Sequence, residues 1–191
     1  LQYFEFIVGP FGLIRIVENI DESELSGGEI AVTAIVNDNI SVYASGAYID
    51  SEVTKNSVRT DSVGNNVPYH ADYTFNSGLS LDYPMSNGMN FFAQVDYAVV
   101  GPTWFHLMQT NNSRNSLFGA PMAYDKTDRA RYDTVNLRLG VELDNMTIVA
   151  FAKNLTDEDY LAEVIPAAEF GGVFAHPGPQ RRLGLEISYQ F

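Results

Sequence analysis

The chain is 191 residues long and carries 24 acidic against 11 basic side chains; this net charge of −13 argues against nucleic acid as a partner, since phosphate binding needs clustered Lys and Arg. Its lack of cysteine removes disulfides, thiolate metal sites and cysteine nucleophiles together. Aromatic residues make up 13% and mean hydropathy is −0.09, yet no run approaches the roughly 18 apolar residues of a membrane-crossing helix, so the profile is that of a β protein.

Residues 3–8 read as a strand, Gly9-Pro10-Phe11-Gly12 as a tight turn and residues 11–17 as the strand returning. Residues 18–28 read as an acidic loop ending in Gly27-Gly28. Ile30, Val32, Ala34 and Val36 then form one face of a strand, and Asn37-Asp38-Asn39 is a turn of residues that tolerate left-handed backbone. Strand 40–50 carries Ile40, Val42, Ala44, Gly46 and Tyr48 on one face, and residues 51–71 are a long polar loop. Strand 72–84 sets Tyr73, Phe75, Leu79, Leu81 and Tyr83 opposite Asn76, Gly78, Ser80 and Asp82. Ser86-Asn87-Gly88 is a hairpin signal.

Strand 89–100 alternates Met89, Phe91, Ala93, Val95, Tyr97 and Val99 with Asn90, Gln94 and Asp96, and residues 103–129 are a long loop. Strand 132–143 places Val135, Leu137, Leu139, Val141 and Leu143 against Asn136, Arg138, Gly140 and Glu142. Asp144-Asn145 turns the chain into strand 146–153. Residues 154–180 form the last long loop, and strand 181–191 closes the sequence. In it Leu183, Leu185, Ile187, Tyr189 and Phe191 are apolar and the residues between them are polar or small.

Connection lengths alternate short and long throughout. A Greek-key sandwich has no reason to put every long loop at one end, whereas an outer-membrane barrel has short turns on one side and long loops on the other. The expected fold is therefore all-β: an antiparallel meander of about nine long strands forming part of a transmembrane β-barrel. Odd-numbered residues of 89–99, of 135–143 and of the last strand are expected on the convex, lipid-facing side, and their even-numbered neighbours on the concave side toward the lumen. The lumen set includes Asn76, Asp82, Asn90, Gln94, Asp96, Asn136, Arg138, Glu142 and Glu186. Tyr and Trp near the strand ends suit interfacial girdles.

Two stretches carry a family resemblance. Lys153-Asn154-Leu155-Thr156-Asp157-Glu158-Asp159-Tyr160 resembles the KNLTDxxY stretch near the C-terminus of TonB-dependent outer-membrane receptors. Gly178-Pro179-Gln180-Arg181-Arg182-Leu183-Gly184 resembles their entry into the final strand. Arg182, Gly184, Ile187, Tyr189 and Phe191 resemble the terminal signal that outer-membrane proteins present to the barrel assembly machinery. More loosely, the Gly28-Glu29 strand entry and Tyr97-x-x-x-Gly101-x-x-Trp104 are similar to the same barrels.

The resemblance implies that residues 1–191 are the C-terminal portion of such a barrel, in the outer membrane of a Gram-negative bacterium. It implies active uptake of a small-molecule ligand, with a ferric siderophore as the commonest class. The implied partners are outer-membrane lipid, the assembly machinery and, through a plug domain, the TonB complex. Residues 1–6 lack a basic leader region and an initiator Met, so a signal peptide, plug and earlier strands are expected upstream. The alternative is a small barrel of eight strands from Phe11 onward, with a structural, adhesive or passive pore role. Hydrogen bonding between strand 11–17 and the last strand would favour that alternative.

No catalytic, cofactor or metal set is expected. Ser113, Ser116 and His106 lack a nucleophile elbow, and Asp157-Glu158-Asp159 lacks the spacing of a calcium loop. The resemblance implies instead that the Asn154–Tyr160 stretch ends a strand and orders the exit into the last loop. The candidate ligand contacts are loop residues: His70, Trp104, His106 and His176.

Overall fold

The computed structural model describes residues 1–110, 122–167 and 172–191. In chain order these form β1 (Gln2–Gly9), β2 (Gly12–Asn19), β3 (Glu22–Asn37) and β4 (Ile40–Lys55), then β5 (Tyr73–Pro84), β6 (Asn90–Val100) and the short β7 (Thr103–Trp104). Next come the short β8 (Asp128–Arg129), β9 (Tyr132–Leu143), β10 (Met146–Lys153), β11 (Leu161–Ala167), β12 (Gly172–Pro177) and β13 (Arg182–Tyr189). Helix among the described residues is limited to two three-residue 3-10 turns, Thr60–Ser62 and Tyr124–Lys126, so no helix is long and apolar enough to cross a membrane.

One antiparallel sheet of seven strands dominates, in the order β13-β10-β9-β6-β5-β4-β3. Its register aligns the apolar alternation of every strand. Ile187 lies opposite Ile148, which lies opposite Val141, and Val141 lies opposite Phe91. Phe91 pairs with Tyr83, Leu79 with Val42, and Val42 with Ala34. Because side chains repeat every two residues, this keeps one face apolar across all seven strands. The odd-numbered sets of β6, β9 and β13 share that face, as the sequence indicates. Much of it is open: Ile30, Leu139 and Leu185 are 69%, 38% and 66% exposed.

The turns after β3, β5 and β9 (38–39, 85–89 and 144–145) are short and lie at one end of the sheet. The connections 56–72, 101–131 and 154–181 are long and lie at the other. The buried apolar core sits at this long-loop end. Val53, Val67 and Leu107 cluster there with Tyr3 and Ile20 of the first hairpin, while Met108, Met122 and Tyr124 form a second cluster.

Three expectations are corrected. Residues 18–28 are not a loop: β2 continues to Asn19, two residues turn the chain, and β3 begins at Glu22. The ladder to β4 persists with Glu24 opposite Glu52 and Ser26 opposite Asp50, because backbone pairing continues past the apolar band into water, where acidic side chains are tolerated. Second, the first two strands do not join the sheet. β1 and β2 pair only with each other, and their open end packs on the long loops, where Asp21 accepts a hydrogen bond from the Ser57 amide at 2.7 Å. Turn 9–12 is therefore not one of the sheet's short turns. The sheet is open between β3 and β13, and the β2-to-β13 ladder that a small closed barrel would need is not formed. Third, the last long loop contains the β11–β12 hairpin, whose Val164 and Ala167 are buried. Ser113 and Ser116 lie outside the described residues.

Candidate functional site: the polar face and its long-loop end

The face opposite the apolar one is polar and internally bonded. Tyr43 donates to Asp96 at 2.8 Å, and the Gln94 amide reaches both Asp96 oxygens at 3.1 Å. Arg138 meets Glu186 at 3.5 Å, and Asn90 donates to Glu142 at 3.4 Å. Three aromatic rings on this face lie over glycines directly across the ladder: Tyr43 over Gly78, Phe92 over Gly140 and Phe151 over Gly184. Any Cβ at those glycines would meet the ring, so each pair fixes the local register of two strands.

At the long-loop end of this face the Asn154–Tyr160 stretch forms a clasp. The Asn154 amide donates to Asn136 Oδ1 at 3.0 Å, and its side-chain NH2 reaches the carbonyls of Glu158 (2.9 Å) and Pro179 (3.1 Å). Its Oδ1 accepts from the Glu158 amide at 2.9 Å. Asp157 accepts from the Arg181 amide at 2.9 Å and pairs with the Arg181 guanidinium at 3.4 Å. Asn154 and Asp157 both take positive φ (49° and 58°), which Asn and Asp tolerate best among side-chain-bearing residues. Tyr160 stacks on Tyr132 at 3.9 Å and covers Gly178. The motif thus ties β9 and β10 to the start of β13.

The four candidate ligand residues do not converge. His176 is exposed on β12, opposite Glu163. Trp104 is half-buried in the β7–β8 pair. His70 is half-buried and bonds through Nε2 to the Ser51 hydroxyl. His106 is buried within the long-loop core, 3% exposed, and stacks on Tyr124 at 4.6 Å. Its Nδ1 accepts from the Met108 amide at 3.2 Å, which places the proton of the neutral ring on Nε2. Burial first, then the neighbouring Arg59 cation, push its pKa down to about 4, with the Phe4 backbone opposing weakly. Tyr69 donates to Glu163 at 3.1 Å, and burial together with that carboxylate raises its pKa to about 12.

Residues not singled out in the sequence hold this end together. Arg59 is buried beside Asp61 (3.2 Å) and lies 6.0 Å from the Tyr124 ring centre. Arg129 lies over both Phe105 (5.4 Å) and Tyr132 (4.8 Å) and donates to Thr103 Oγ1 at 2.7 Å. A lone Arg in a polar loop gives no periodic signal, so neither role could be read in advance.

Among the terminal-signal residues, Arg182, Ile187 and Tyr189 lie on edge strand β13, exposed. Gly184 seats Phe151, and the Tyr189 and Phe191 rings meet edge-to-face at 5.2 Å.

No protein-family model matches this sequence, and no curated protein does. Solved structures do match. The ferric yersiniabactin uptake receptor FyuA from Yersinia pestis superposes with a TM-score of 0.73 at 20% identity, over 88% of this chain and 24% of its own. The copper transporter OprC gives 0.65 at 20% identity, over 98% and 26%. The ferric preacinetobactin receptor BauA from Acinetobacter baumannii gives 0.65 at 14% identity, over 100% and 26%. The chain thus spans about a quarter of the length of these proteins, and at such identities the likeness is one of fold.

Proposed function

We propose that this chain, which carries the barrel fold of TonB-dependent outer-membrane receptors, is the C-terminal portion of such a receptor and serves energised uptake of a scarce ligand across the outer membrane of a Gram-negative bacterium. The observation that carries the reading is the sheet itself. Seven long strands hold one continuous apolar face against one hydrogen-bonded polar face, an arrangement that suits lipid on one side and a filled or watery lumen on the other. The ordered Lys153–Tyr160 and Arg182–Phe191 motifs support it.

In this reading the long loops capture ligand from outside, with His176 exposed among them and Trp104 and His70 half-buried. A plug domain elsewhere in the receptor blocks the lumen, and the TonB complex supplies the energy through that plug. The barrel assembly machinery reads β13, whose terminal-signal side chains are exposed along a sheet edge. A ferric siderophore is the leading ligand class. FyuA and BauA are named for ferric chelates and OprC for copper, so metal uptake is the common theme among these neighbours.

The test is growth of a strain lacking the receptor gene, complemented with it, on single iron sources with and without TonB. Complementation that requires TonB supports the reading. Uptake that persists without TonB would leave a passive barrel.

A further inference from the structure

Two cations on the polar face are set apart from the others. Lys153 and Arg182 are direct register partners on the last rung of the β10–β13 ladder, at the long-loop end. Like charges directly across an antiparallel pair repel, so this placement is unfavourable unless something offsets it. Among the other described cations, Lys55, Arg59, Lys126, Arg131, Arg138 and Arg181 each pair with a carboxylate, Arg129 is flanked by rings and Arg15 lies over the Phe4 ring. Among the described residues neither Lys153 nor Arg182 has an ion-pair partner.

Both line a cleft of about 240 Å³ with Thr134, Asn136, Tyr160 and Gln180. That lining has two cations and no carboxylate, in a chain with 24 acidic residues and 11 basic ones. Of the nearby acids, Asp157 pairs with Arg181 and Glu186 with Arg138. The base of the cleft is also held in place. Asn154 bonds the Pro179 carbonyl on one side and Asn136 on the other, and Phe151 over Gly184 locks the rung below. A site held ready in this way loses less freedom on binding. A guanidinium fork beside an ammonium point charge suits a carboxylate or phosphate group.

We infer that Lys153 and Arg182 form an anion-binding site on the polar face, which receives a carboxylate-type oxygen group of the cargo. This rests on the uptake reading, but its test does not need TonB. Citrate is titrated calorimetrically into the intact receptor in detergent, comparing wild type with Lys153→Gln, Arg182→Gln, the double variant, the charge-conserving Arg182→Lys, and Arg131→Gln on the opposite face. The expected result is saturable binding to wild type, weakened at least tenfold by each single Gln variant and lost in the double. Arg182→Lys, which keeps the charge but loses the fork, binds more weakly than wild type and more tightly than Arg182→Gln, and Arg131→Gln is unchanged. Binding that is equal in all variants, or absent from wild type, overturns the inference. If wild type binds no citrate while the double variant melts at lower temperature, a carboxylate of the polypeptide fills the cleft, and the cargo assignment is overturned. Failure of the uptake reading shows separately, as growth that does not need TonB.

Discussion

In the seven-strand sheet Leu139 and Leu185 remain 38% and 66% exposed, while at the long-loop end Leu107 and Val53 are wholly buried. The loop end is built as a water-soluble protein is: apolar side chains inside, buried Arg59 paired with Asp61, and His106 kept neutral. The sheet buries few apolar side chains of its own, Val99, Val149 and Ala152 among them, and most of the others collect on one open face. Water would leave that area uncompensated at roughly 25 cal/mol per Å². On the proposed reading lipid removes the penalty, and one chain then contains regions suited to two solvents.

The difference can be broken most severely at the loop core. Leu107→Ala should cost about 2–5 kcal/mol locally, since it empties a wholly buried site. Protease nicking of the long loops should rise sharply while the heat-modifiability of the folded barrel stays unchanged. Leu139→Ala on the sheet should cost much less, because lipid fills the gap. Equal costs at the two sites would erase the distinction.

A charge sharpens the contrast between the two faces of the sheet. Leu139→Arg should cost about 2–4 kcal/mol at mid-depth. Ser80→Arg, on the polar face, should stay near about 0.5 kcal/mol. Denaturant unfolding of receptor refolded into bilayers measures both, and a reversed order would put the polar face against lipid.

The smallest effect depends on pH. The pKa of His106 is lowered in the fold to about 4 from about 6.5 in an unfolded chain, so the unfolded state binds more protons between those values. The loop end should hold full stability above about pH 6.5 and lose part of it as pH falls toward 4. Hydrogen exchange at the Met108 amide, measured at pH 7 and 4.5 with correction for intrinsic rates, reads this directly. His106→Phe, which keeps a ring over Tyr124, should abolish the pH dependence.

What was legible in the sequence follows the same division. The period-two alternation of β6, β9 and β13 has one cause, a face that must be apolar, and it identified those strands and their outward residues. The Asn154–Tyr160 clasp was legible as a strand-ending motif. Residues 18–28 were misread because Glu, Ser and Gly are depleted in buried strands, whereas this part of β3 extends its ladder into water. The first hairpin is as apolar as the sheet strands, and nothing local in its sequence reveals that it packs on loops. Residues 161–177 include Pro166 and Pro177, which a two-stranded hairpin tolerates because every strand in it is an edge. The juxtaposition of Lys153 and Arg182 depends on register alone, which links residues 29 positions apart.

The central claim is that odd-numbered residues of β9 face lipid and even-numbered ones the lumen. These 191 residues contain no cysteine, so single cysteines placed in turn from 135 to 142 can carry a spin label in the bilayer-embedded protein once any cysteine outside them is replaced by serine. Collision rates with oxygen, which concentrates in lipid, should peak at Val135, Leu137, Leu139 and Val141. Collisions with a water-soluble nickel chelate should be weakest there and stronger at Asn136, Arg138, Gly140 and Glu142. Profiles that are flat, or opposite in phase, would contradict the account.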